Sequence, residues 1–385
     1  MVGAGIVGCA TAWELARRGV DVCLLERSSQ PATGTTGVGE GNVLCCDKEP
    51  GAELELAKLG LASYGEIEDR LGAEAGIRRK GALVVHDDPA GWEAERDRLS
   101  AMQSAGIRCE LLGAQDAREA ERELSRSIAG ASWFPDDLQC APRAIARALA
   151  REAERLGATV LSGFPAERVT VSAGRVDGLA PGAGRSAVKA GRVVIAAGAW
   201  SAALAATAGL RLPVEPRKGQ LVRLERRPGF LAHKVIDGSY MAAVANPDER
   251  LLVSAVLETT LEGHVLVGSS RERRGFDLSV DPAVSAALVD RAALLAPGVR
   301  DLAFDAAWAG LRPWLPGGLP AIGCSAAADG LWVATGHEGA GVAHGPITGR
   351  LIAQAICGEP VELDLAPFDP DRFGIEAPPG AGGPS

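Results

Sequence analysis

Gly3-Ala4-Gly5-Ile6-Val7-Gly8, two residues into the chain, is a Gly-x-Gly-x-x-Gly run. Each glycine in such a run has its own reason. The first makes a tight turn, the second lets backbone approach a pyrophosphate, and the third lets helix and strand pack closely. Residues 6–18 read as a helix stopped by Gly19, and residues 20–25 as a buried apolar strand ending on Glu26. A helix N-terminus offers free N–H groups and partial positive charge to phosphates. An acid about 20 residues further on takes ribose hydroxyls, and Glu26 stands 18 residues after Gly8. Residues 3–27 therefore predict a dinucleotide site built from Gly3, Gly5, Ile6, Val7, Gly8, Glu26 and Arg27. A strand should precede the loop, yet only Met1-Val2 do. Two residues cannot fill a normal central ladder, so the native chain is expected to begin upstream of Met1, the alternative being a protein that lacks most of its first strand.

The 385 residues, 47% of them hydrophobic, can bury a large core in two or three domains, or in one large domain carrying a second. A net charge of −9 with no long basic run argues against nucleic acid as a partner. No uncharged apolar stretch is long enough for a membrane span, and nothing resembles a signal peptide, so a cytoplasmic protein is expected. The eight cysteines form no CxxC and no Cys/His cluster, so no metal site is expected. The adjacent pair Cys45-Cys46 reads as ordinary packing, with a redox role as the alternative.

Glycine-punctuated apolar runs alternate with Ala/Arg/Glu-rich helical stretches, the pattern of an α/β fold. Helices are expected over 53–71, 92–105, 142–156 and 283–295, and a last one runs to Cys357 before Gly358. Strands are expected over 81–86, 159–161, 192–196 and 331–334, with a strand-rich region over 220–268. The Pro/Gly-rich tail, 375–385, is expected to be disordered.

Two more glycine motifs carry chemistry. In Val193-Val194-Ile195-Ala196-Ala197-Gly198-Ala199-Trp200-Ser201 a buried strand ends in small residues before a helix. Ala197, Gly198 and Trp200 could admit a ligand to the backbone, or the small residues could serve packing alone. In Gly336-His337-Glu338-Gly339-Ala340-Gly341-Val342 a flexible loop precedes a helix. Its N–H groups and the helix N-terminus behind them would favour an anionic ligand. Gly336, His337, Gly339, Ala340, Gly341 and Val342 are the candidates there.

In this order and spacing, the three motifs resemble the FAD-dependent oxidoreductases of the D-amino-acid oxidase superfamily. The likeness is strongest to its glycine oxidase, sarcosine oxidase and D-hydroxyproline dehydrogenase branch. Arg217-Lys218-Gly219-Gln220, Gly310-Leu311-Arg312-Pro313-Trp314, Leu319-Pro320-Ala321-Ile322-Gly323 and the ending 365–373 match the same pattern, so the resemblance covers residues 1–374. It implies an α/β fold with a Rossmann-like FAD-binding domain from 1–78, 137–214 and 304–374. A second, mainly antiparallel-sheet substrate domain comes from 79–136 and 215–303. By the same likeness, Thr35, Thr36, Gly41, Asn42 and Leu44 wrap the ribityl chain and ring. Val169 touches the adenine side through its backbone, although by itself it reads equally as a strand valine. No cysteine stands at the position linked to flavin in sarcosine oxidases, which implies non-covalent FAD.

Arg312 is implied to bind a substrate carboxylate, a task suited to a guanidinium that binds bidentately and stays charged when desolvated. Many relatives carry an Asp in the following turn, where this chain has Gly317-Gly318. Tyr240 is expected in the roof of the site, or else as a core tyrosine, and His337 beside the flavin; His344 reads as structural. The implied reaction is oxidation of an amine α to a carboxylate: a D-amino acid, glycine, or an N-alkyl or cyclic amino acid. Hydride leaves Cα for flavin N5, and the imine hydrolyses in water. Positioning and electrostatics carry such a reaction. Oxygen, a quinone or a partner subunit could take the electrons, and the segment 34–44 favours a dehydrogenase. A hetero- or homo-oligomer stays open, including an FAD-binding subunit of a heteromeric complex, inactive alone. The second and third motifs argue against a simple NAD-binding module.

Overall fold

Val2 forms parallel bridges to Leu25 on one side and to Ile195 on the other. These belong to a computed structural model that describes residues 1–182, 185–239 and 251–376. The Val2 N–H donates to the Val194 carbonyl at 3.0 Å, and the Gly3 N–H to that of Leu25 at 2.8 Å. The opening residues thus occupy the centre of a sheet. Its order is Thr159–Leu161, Cys23–Leu25, Val2, Val193–Ile195, Leu331–Thr335 and Ala321–Cys324, parallel except for the last pairing.

Alternate residues of these strands point to opposite faces, and both faces are covered. Leu24, Val194 and Ala334 pack with the helices Ile6–Ala16 and Gly341–Cys357. Leu25, Ile195 and Val333 pack with Val169, Val176 and Leu204 on the other side. That second layer includes a three-stranded sheet of Ala166–Ser172, Arg175–Pro181 and Val188–Lys189. Its strands mix exposed, half-buried and buried residues without strict alternation, which leaves little hydrophobic pattern to read.

The helices fall close to their expected positions, at Ala52–Leu71, Pro142–Arg155 and Pro282–Leu295. Pro89–Ser104 starts earlier than expected because Asp88 caps it, accepting from the Gly91 N–H at 2.7 Å. Gly349 lets the last helix lie against the first: a Cβ there would sit 2.6 Å from the Thr11 nitrogen.

A second sheet has eight strands, in the order Phe304–Trp314, Glu215–Arg226, His264–Glu272, Leu251–Thr259, Lys234–Asp237, Ala82–His86, Gly130–Phe134 and Glu110–Gly113. It is antiparallel except where Lys234–Asp237 meets Ala82–His86. Helix Pro282–Leu295 covers one face, burying Leu288 with Val222, Val235 and Leu257. Residues 304–314 form the edge strand of this second sheet, pairing along nearly their whole length with Glu215–Arg226 and setting Arg217 opposite Arg312. The expected disordered tail lies outside the described residues from 377 onward. Among the described residues no helix is long and apolar enough to cross a membrane.

Candidate active site

A cavity of about 690 Å³ runs from the opening glycine loop to the eight-stranded sheet. At the loop end, Gly3 has φ +96°, and a Cβ there would lie 2.4 Å from the Ala196 carbonyl oxygen. The Ile6 N–H donates to Thr36 Oγ1 at 3.1 Å. Val7 and Gly8 begin the helix with N–H groups that no earlier turn can satisfy. The Glu26 carboxylate accepts from the Ala4 N–H at 2.9 Å and the Ser28 N–H at 2.8 Å, which fixes both loops at the cavity rim. The Arg27 guanidinium stacks 3.6 Å from the centre of the Trp200 ring, and Phe276 packs against the same ring at 5.4 Å.

The cavity gathers Gly3, Gly5, Ile6, Val7, Glu26, Arg27, Thr35, Thr36, Gly41, Asn42, Ala197, Gly198, Trp200, Arg312, His337, Gly339, Gly341 and Val342. Five other residues singled out in the sequence do not line it. Gly8 serves packing, since a Cβ there would sit 1.9 Å from the Gly3 carbonyl oxygen. Leu44 is core, clustered with Ala57 and Phe134. Val169 donates its N–H to Thr207 Oγ1 at 3.0 Å and buries its side chain; Phe164 to Glu167 line the wall instead. Gly336, with φ +83°, makes room for Leu315, and Ala340 is buried behind the loop. Tyr240 lies outside the described residues. Cys45 and Cys46 are buried in the core, their N–H groups donating to Asp137 at 2.8 and 3.1 Å.

At the sheet end, three glycines make a floor. The Arg312 guanidinium lies across Gly219, Glu40 lies over Gly268, and Val38 over Gly310. Arg312 Nη1 donates to the Ser270 carbonyl at 2.9 Å. Glu338, at φ +45°, faces Arg271 Nε at 3.4 Å and Arg217 Nη1 at 3.7 Å. Burial would raise the Glu338 carboxyl's pKa, but Arg271, Arg312 and Arg217 overcome it and hold the group below its ordinary value, so it stays ionised. Burial pushes the Arg217 guanidinium down to about 10, which still leaves it charged at neutral pH. His337 is buried, with Nε2 3.0 Å from Thr348 Oγ1, and burial pushes it down to about 3; it is a neutral hydrogen-bonding group. The sequence reading passed over Glu40, Arg271 and Glu338. For Glu40 and Glu338 the available signal was a carboxylate set among glycines; Arg271, in the polar run Ser269-Ser270-Arg271-Glu272-Arg273, gave none.

Residues 1–355 match the family model described as FAD dependent oxidoreductase. The chain belongs to this family. It is 31% identical to a glycine oxidase of Pseudomonas aeruginosa over 96% of this chain and 97% of the relative. It is 28% identical to the hydrogen cyanide synthase subunit HcnC of the same organism, over 97% and 95%. The crystal structure of glycine oxidase from Geobacillus kaustophilus superposes with a TM-score of 0.86 at 27% identity, covering 96% of both chains. The cofactor is FAD, and the residues present fit it. Gly3, Gly5, Ile6 and Val7 line the cavity at a helix N-terminus, where free N–H groups would hold a pyrophosphate; Glu26 lines the same end, where its carboxylate would meet a ribose; and small residues of both later motifs edge the cavity.

Proposed function

We propose that this chain oxidises an amine α to a carboxylate, taking glycine, a D-amino acid or an N-alkyl or cyclic amino acid to its imine. The observation that carries the reading is Arg312, laid across Gly219 at the sheet end of the cavity that the glycine loop and both later motifs also line. A guanidinium held flat over backbone presents a planar fork to a carboxylate. FAD, when bound, supplies the two-electron acceptor. The protein's part is to grip the carboxylate through Arg312, to exclude water beneath the eight-stranded sheet, and to fix the Cα–H direction. Glu338 supports this by neutralising the repulsion among Arg217, Arg271 and Arg312. We assign the FAD role to the first sheet with its flanking helices, and the substrate role to the glycine floor of the second.

The test is anaerobic bleaching of the bound flavin by D-amino acids, glycine, sarcosine, proline and hydroxyproline, followed by oxygen. Bleaching by one class and reoxidation by oxygen identifies an oxidase; bleaching without reoxidation points to a quinone or protein acceptor. Arg312→Ala should lose the activity, and unchanged turnover of every carboxylated amine would remove the assignment. The likeness to a hydrogen cyanide synthase subunit favours a second reading, an FAD-binding subunit of a heteromeric complex. That reading expects slow turnover alone and recovery with the products of neighbouring genes.

A further inference from the structure

The glycine floor holds a second charged group whose role the carboxylate grip leaves open. Glu40 lines the same cavity as Arg312. Its carboxylate lies over Gly268, which pairs with Leu221, two residues from the Gly219 that Arg312 covers. Diagonal neighbours on one face of a regular antiparallel pair are about 7–8 Å apart; here the ladder shifts register between Lys218 and Leu221, and Arg312 still acts on the Glu40 carboxylate through its charge. An α-amino acid carries its ammonium and carboxylate on one carbon, and hydrogen bonds of about 2.8 Å at each end fill such a span.

We propose that Glu40 binds the substrate's ammonium opposite Arg312 and takes its proton, so that the amine meets the flavin as a free base. This rests on the function proposed above. One N–H bond of the ammonium breaks and its electron pair stays on nitrogen. An O–H bond forms on Glu40, and the lone pair is then available as the Cα–H electrons pass to FAD. Three observations support the assignment. Asn42 Nδ2 donates to Glu40 Oε2 at 2.9 Å, orienting the carboxylate. Glu40 also lines a second cavity of about 430 Å³ on the far side of Gly39, which gives the proton a way out. Burial raises the Glu40 carboxyl above its ordinary pKa, and Glu258 adds to this against the pull of Lys234, Asn42 and Arg312. Glu258, Lys234 and Arg312 stand on three strands of the eight-stranded sheet and Asn42 on Glu40's own segment, so the sheet as well as the loop sets the group's affinity for a proton.

The experiment uses holoenzyme and two ligands that cannot be oxidised. 2-Aminoisobutyrate has an ammonium but no Cα–H, and 2,2-dimethylpropanoate has the same shape without the nitrogen. Binding is read from the flavin absorbance. The wild type should prefer the amino ligand, and Glu40→Gln should lose that preference about tenfold or more while binding the plain carboxylate as before. Its kcat/KM at pH 7 should drop about 10²–10⁴-fold and climb with pH as free amine replaces ammonium. A Glu40→Gln enzyme with the wild-type preference and pH profile overturns the proposal and leaves the amine-oxidation reading standing. A wild type that oxidises no carboxylated amine overturns that reading itself. Should Glu40→Gln fail to retain FAD, Glu40→Asp decides: it must keep the preference for the amino ligand, and its loss there also counts against the proposal.

Discussion

Replacing Gly219 by alanine adds one methyl group at the point where the structure leaves none to spare. The new Cβ would lie 2.2 Å from Arg312 Nη1 and 2.5 Å from its Cζ, so the guanidinium must retreat about 1.2 Å to reach ordinary contact at 3.4 Å. Gly219 is not among the positive-φ residues and pairs in register with Gly310, although the ladder on its other side shifts register between Lys218 and Leu221, so alanine fits the backbone conformation. The end of the arginine is the part that moves, and the fold is retained. A displacement of about 1 Å of a positioning group costs about 10²-fold in rate, or about 2.7 kcal/mol of transition-state stabilisation. The assay is kcat/KM for the best carboxylated amine, with flavin content and thermal midpoint as controls. We expect Gly219→Ala to bind FAD and melt as the wild type does while losing about a hundredfold in kcat/KM. Wild-type kcat/KM in a fully FAD-loaded variant would refute the reasoning, because Arg312 would then have no role that depends on its position.

Other consequences are equally open to measurement. Trp200→Ala removes the stacking partner of Arg27 at the cavity edge; titration of the apoprotein should show FAD affinity weakened about 5-fold, near 1 kcal/mol. Gly349→Ala forces the last helix off the Thr11 backbone and should cost about 1–3 kcal/mol in chemical denaturation, whereas an unchanged midpoint would contradict the close crossing. Burial lowers the pKa of His337, to about 3, and of His344, well below its ordinary value of 6.5. Below pH 6.5 the unfolded chain therefore binds more protons than the folded one, so stability should fall as pH drops from about 6.5 toward 3. Each histidine adds up to about 1.4 kcal/mol per pH unit. His337→Asn should flatten that slope, and an unaltered slope would show the ring to be accessible to protons.

The opening loop was legible in the sequence because its requirements are local. Gly3 needs a positive φ, Gly8 a close approach, and Glu26 a position one helix and one strand later; all are set within 26 residues of chain. The same holds for the helices, whose stops at Gly19 and Gly358 follow from left-handed backbone that only glycine adopts readily. Val169 fell outside the cavity because which strand residue faces a ligand depends on how a distant sheet is tilted against it, and no local pattern records that. Glu40, Arg312 and Glu338 lie some 270 to 300 residues apart at their extremes, and nothing in their own segments says that they meet. What brings them together is the register of Glu215–Arg226 between its two neighbours, which stacks Gly219, Gly268 and Gly310 on one face. A glycine's missing side chain becomes a binding surface only when a neighbouring strand supplies the group that lies on it. The chain alone therefore determined the loop that we assign to the cofactor, through short-range backbone geometry. The tertiary structure decided which groups face the proposed substrate, because long-range strand pairing sets which charges share a floor.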